Sequence, residues 1–80
     1  MGLAKSEDEW AERARAYLKA EILKAEITYE DLAKRLKKHG FKDETKASIT
    51  NKLARGTFTA IFFLAVLAAL ELEGVRLEDV

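Results

Sequence analysis

Eighty residues can hold one small core, and the chain has no cysteine with which to brace it by disulfides. Fourteen lysines and arginines balance fourteen aspartates and glutamates, so total charge neither demands a polyanionic partner nor excludes one. A single histidine, no glycine-rich phosphate loop, no metal-ligand spacing, no signal sequence and no apolar run near about 20 residues argue against an enzyme, a metal or cofactor site, a small-molecule substrate, secretion and a membrane span.

The first helix is expected over residues 7–25. Ser6 and Glu9 have the spacing of a capping box, and Glu7 and Asp8 suit the positive end of a helix dipole. Trp10, Ala14, Tyr17, Leu18, Ile22 and Ala25 then share one stripe, so Trp10 and Tyr17 read as core rather than as a ligand cage. Arg13, Arg15, Lys19 and Lys24 alternate with Glu9, Glu12 and Glu21 on the outer side, the pattern of a solvated face with intrahelical ion pairs.

A second helix is expected over 29–39. Thr28 and Asp31 form a near relative of the capping box, Leu32, Ala33 and Leu36 recur at helical spacing, and Gly40 is suited to the left-handed position that ends a helix. Glu30 and Asp31 are adjacent rather than on one face, which makes a catalytic acid and base pair a poor reading, and His39 reads as a terminal charge.

After the polar corner Phe41-Lys42-Asp43-Glu44, Thr45 can cap a third helix over 46–55, and Gly56 ends it. Ile49 and Leu53, four apart, anchor one side. At about 100° per residue the opposite side carries Ala47, Asn51 and Ala54, flanked by Ser48, Thr50 and Arg55. Small residues that permit close approach, next to amide and hydroxyl groups that can meet base edges, are what a helix in a DNA major groove needs. Ala47, Ser48, Thr50 and Asn51 are therefore the expected base contacts. Asn51 leads them, because an amide can donate to and accept from adenine at once. Lys37, Lys38, Lys42, Lys46, Lys52 and Arg55 are expected on phosphates.

The fourth helix, expected over 60–71, has no polar face, since every residue from Ala60 to Leu70 is apolar. Eleven residues span only about 16 Å, so protein rather than lipid must cover them. One small domain can hardly wrap a whole helix, so a homodimer interface through Phe62, Phe63 and Val66 is expected. The alternative is a central core helix wrapped by the other three and the tail. In that tail, residues 72–80, Gly74 marks a turn and the alternation of Val75 and Leu77 with Arg76 and Glu78 fits a short strand or extended arm.

Charge is unevenly spread. Lys34, Arg35, Lys37, Lys38, Lys42, Lys46, Lys52 and Arg55 face only Asp43 and Glu44 within that span, whereas from Thr57 onward Arg76 stands against Glu71, Glu73, Glu78 and Asp79. Such asymmetry can present a cationic face to DNA from a neutral chain, and it is equally the pattern of a solvated helix surface.

Ile27-Thr28-Tyr29-Glu30-Asp31-Leu32-Ala33, then Ile49-Thr50-Asn51-Lys52-Leu53-Ala54-Arg55-Gly56-Thr57-Phe58, then Phe62-Phe63-Leu64 resemble the helix-turn-helix domains of the phage-repressor (lambda-repressor-like) type, specifically a bacterial family of small uncharacterised domains within that superfamily. The resemblance runs from about Trp10 to Leu70 and is most specific in the Asn-Lys-x-x-Arg-Gly-x-Phe run. It implies a compact all-α fold of four helices, with a possible fifth element, and a cytoplasmic regulator that binds double-stranded DNA. Glu26 stands where many relatives have glycine, and the corner before the third helix is longer than usual. The competing expectation is a protein-interaction module that keeps this fold without the nucleic-acid function.

Overall fold

Four hydroxyl side chains start the four helices, each accepting a backbone N–H three residues on at 3.1 Å: Ser6 from Glu9, Thr28 from Asp31, Thr45 from Ser48 and Thr59 from Phe62. A computed structural model describes residues 2–80, and in it these caps open α1 (Glu7–Lys24), α2 (Tyr29–Lys37), α3 (Lys46–Arg55) and α4 (Ala60–Ala69). The protein is all-helical, and among the described residues there is no strand. None of these helices is long and apolar enough to cross a membrane.

The capping boxes of α2 and α3 are complete. The Thr28 N–H donates to the Asp31 carboxylate at 3.3 Å and the Thr45 N–H to the Ser48 hydroxyl at 2.8 Å. The hydrogen bond from the Thr28 backbone, then that from its hydroxyl, holds the Asp31 carboxyl below the usual carboxylate range. At α1 the expected box is half made, because the Glu9 carboxylate reaches one residue further and accepts from the Lys5 N–H at 2.7 Å.

Helices α1, α2 and α4 stop one or two residues short of the expected ends because their last turns tighten to three-residue bonds, as in His39 N–H to the Leu36 carbonyl, 2.9 Å, and Glu71 N–H to the Ala68 carbonyl, 3.0 Å. Each chain reversal then passes through a left-handed residue: Glu26 at φ 57°, Gly40 at 92°, Gly56 at 70° and Glu71 at 61°. Two of the four are glutamates, which have a Cβ that this conformation disfavours.

Leu18 and Ile22 of α1, Leu32, Ala33 and Leu36 of α2, Ile49 and Leu53 of α3, and Phe62, Val66, Leu67 and Ala69 of α4 form one buried cluster. Helix α2 packs on α3 and α4, and α1 packs on α3. The Arg35 guanidinium donates to the Ala69 carbonyl at 3.2 Å and ties α2 to the end of α4.

Three expectations are corrected. Phe62 and Val66, expected at a dimer interface, are 1% and 0% exposed inside the single chain, and Phe63 is half-buried with its ring stacked on Phe58 at 6.2 Å and 8°. Helix α4 does have two sides, but the outer one carries Ile61 and Leu64, 68% and 63% exposed. Trp10 and Ala25, expected in the core, are exposed: Trp10 lies on the rim of an open groove shared with Phe63 and Leu64, and Ala25 caps the C-terminal end of α1. The tail forms no strand. The chain turns at Glu71 rather than Gly74, then Leu72 and Val75 pack on the core and Leu77–Asp79 make one 3-10 turn.

Candidate functional site

Helix α3 has two large apolar side chains, and both are committed to the core. Ile49 and Leu53 are 0% and 1% exposed, so the helix is seated by two side chains one turn apart. With that side fixed, Ala47, Thr50, Asn51, Ala54 and Arg55 are all exposed. The Thr50 hydroxyl donates to the Lys46 carbonyl at 2.8 Å, which spends its hydrogen and leaves acceptor lone pairs outward. Asn51 and Arg55, one turn apart, line a cleft of about 240 Å³ closed on its other side by Thr57, Phe58 and Thr59.

Ser48 differs from its expected role. Its hydroxyl donates to Glu44 Oε1 at 2.7 Å and accepts the Thr45 N–H, so capping consumes the group that was expected to meet a base. Lys52 differs too. Its ammonium is paired with Glu44 Oε2 and lies 4.8 Å over the Phe62 ring, which neutralises a charge expected on phosphate. Glu44, 8% exposed, is the one buried charged or polar side chain among the described residues.

Lys37, Lys42, Lys46 and Arg55 are exposed, and of these α3 itself brings Lys46 and Arg55 to the two flanks of the Thr50 and Asn51 surface. Lys38 is exposed as well but lines a different cleft, with Arg35, His39, Ala68, Ala69 and Glu71, where α2 and α4 end. The cationic span is thus divided: one part borders the outer face of α3, one part points to the far end of α2, and one lysine is internally paired.

Two features escaped the sequence reading. Glu44, Ser48 and Lys52 are spaced by four, and on a helical path continued back from α3 they lie along one stripe. That spacing was the available signal. The second is an apolar groove of about 380 Å³ between α1, α4 and the tail, lined by Trp10, Ala14, Phe63, Leu64, Val75 and Leu77 among others. Nothing in linear order links these residues.

A family model described as Domain of unknown function (DUF6471) matches residues 10–75. The chain is a DUF6471 domain. No curated protein and no solved structure matches it. The DUF6471 match enters α1 at Trp10, takes in the whole of α2, α3 and α4 with the Glu44 corner, and leaves the Leu77–Asp79 turn outside.

Proposed function

We propose that this DUF6471 domain is a helix-turn-helix protein of the phage-repressor type that binds double-stranded DNA as a transcriptional regulator in the bacterial cytoplasm. In this reading α2, the corner and α3 form the binding unit and α3 enters the major groove. Asn51, Thr50 and Ala47 meet base edges, and Lys46 and Arg55, with Lys37 and Lys42 behind them, hold phosphates. The observation that carries it is the outer face of α3: on a helix pinned by Ile49 and Leu53, the small and amide side chains are the ones left open. No catalytic step, cofactor or small-molecule substrate is part of the proposal.

The regulator acts as a homodimer. The interface moves from Phe62 and Val66 to the outer side of α4, through the well exposed Ile61 and Leu64 with Leu77 and the partly covered Trp10 beside them. Helix α4 has no charged residue, so an identical uncharged face is its electrostatic match, and two-fold pairing would present two α3 helices to successive grooves.

A mobility-shift titration with random-sequence duplex at two ionic strengths tests the DNA reading. Binding that weakens steeply with salt, by about 0.9 in log-log slope per neutralised phosphate, supports it, and no shift at low salt removes it. The second reading is the interaction module without DNA, favoured by Lys38 facing away from α3, by the pairing of Lys52, and by the open apolar groove.

A further inference from the structure

We propose that Glu44 is a positioning residue for the DNA-reading helix, and that it does so by occupying Lys52 as a phosphate would. The inference rests on the DNA-binding reading above. Glu44 precedes the Thr45 cap and is 8% exposed, with both carboxylate oxygens committed: Oε1 accepts from Ser48 and Oε2 from Lys52, the residues one and two turns further along α3.

This arrangement addresses a weakness in how α3 is seated. Ile49 and Leu53 are two apolar pegs in a row, and apolar contacts are non-directional, so by themselves they tolerate rotation of the helix about its own axis. Ser48 precedes Ile49 and Lys52 precedes Leu53, which puts the Glu44 stripe about 100° to one side of the pegs. A row of pegs and a row of directional bonds at that angle fix the roll. Roll decides whether Asn51 and Thr50 or their neighbours face a base. Glu44 is buried while the Lys52 side chain stays 38% exposed, and setting a unique register is among the better-attested uses of ion pairs taken out of water.

The cost is one phosphate contact. Lys52 lines the cleft that holds Asn51 and Arg55, so a released ammonium would be within the binding surface, yet its charge is cancelled by Glu44 and its stem is held over Phe62. Lys52 is therefore silent in the salt dependence of binding while Lys46 and Arg55 are not.

The experiment measures affinity for a random-sequence duplex between about 50 and 200 mM salt for the full chain, Glu44→Gln, Lys52→Met and the double variant, with helical content checked by circular dichroism. Glu44→Gln is expected to steepen the log-log slope by about 0.9, so that its affinity falls about 3-fold further than the parent's across that range. Lys52→Met alone is expected to leave the slope unchanged, and the double variant to return to it. If Glu44→Gln does not fold, the Lys52→Met slope decides. A parent chain that binds DNA but whose slope Glu44→Gln leaves unchanged, or Lys52→Met lowers by the amount Lys46→Ala does, overturns this inference alone. Failure of every variant, parent included, to bind duplex DNA overturns the inference together with the reading it rests on.

Discussion

A Cβ on Gly56 would stand 3.2 Å from the carbonyl oxygen of Ala11, so the end of α3 meets the flank of α1 at backbone contact distance. Gly56 is also left-handed, at φ 70°, and its N–H closes α3 on the Lys52 carbonyl at 3.0 Å. Steric room and backbone conformation both select glycine here. Gly56→Ala is expected to lower stability by about 1–3 kcal/mol, because the strained φ and the displaced carbonyl act together. Urea unfolding followed by circular dichroism reads this directly, and a neutral result would mean that α1 and α3 can separate without loss.

Glu26 and Glu71 present the opposite case. Both adopt left-handed φ in exposed turns, where no side-chain packing compels a glutamate. Glu26→Gly and Glu71→Gly should each raise stability by about 0.5–1 kcal/mol, the relief of the left-handed strain less the extra freedom glycine gives the unfolded chain. A fall in the thermal midpoint for either variant would show that its carboxylate supports the turn.

The two sides of α4 should respond differently to substitution. Phe62 is sealed against Phe41 and Phe58, so Phe62→Ala is expected to cost about 3–5 kcal/mol, a large part of the stability of a domain this size. Leu64→Glu sits in solvent and should change the unfolding free energy of the single chain by no more than about 0.5 kcal/mol. Its effect belongs to assembly: sedimentation at micromolar concentration should find the parent as a dimer and Leu64→Glu as a monomer. A parent that sediments as a monomer would end the homodimer proposal.

Base reading and phosphate holding separate by their sequence dependence. Asn51→Ala should reduce discrimination between a selected site and random duplex by about 1–3 kcal/mol. Lys46→Ala should weaken both alike and make the salt slope shallower by about 0.9. If Asn51→Ala weakens every duplex equally, its amide is not reading a base.

Much of this arrangement was legible in the order of residues, for reasons that vary with the element. Thr28 and Thr45 announce their helices because a hydroxyl cap is a local device whose partner lies three residues away. Ile49 and Leu53 could be assigned to the core because the rest of α3 is polar or small, so periodicity singled them out. Helix α4 offered no such contrast. When every side chain is apolar, no period exists, and only packing against α2, Phe41 and Phe58 decides that Phe62 turns inward and Leu64 outward. Trp10 shares the stripe of Leu18 and Ile22 but faces an open groove against α4 and the tail, which no period along α1 announces. Glu44 and Lys52 were counted as opposite charges in a solvated run, whereas the corner folds the acid beneath α3.

Trp10 is the chain's sole tryptophan and stands, 37% exposed, on the lip of the apolar groove. The molecule therefore carries an intrinsic optical reporter at that spot. Whatever seats itself in the groove dries the indole and moves its emission toward the blue. One cuvette can thus follow assembly without a label.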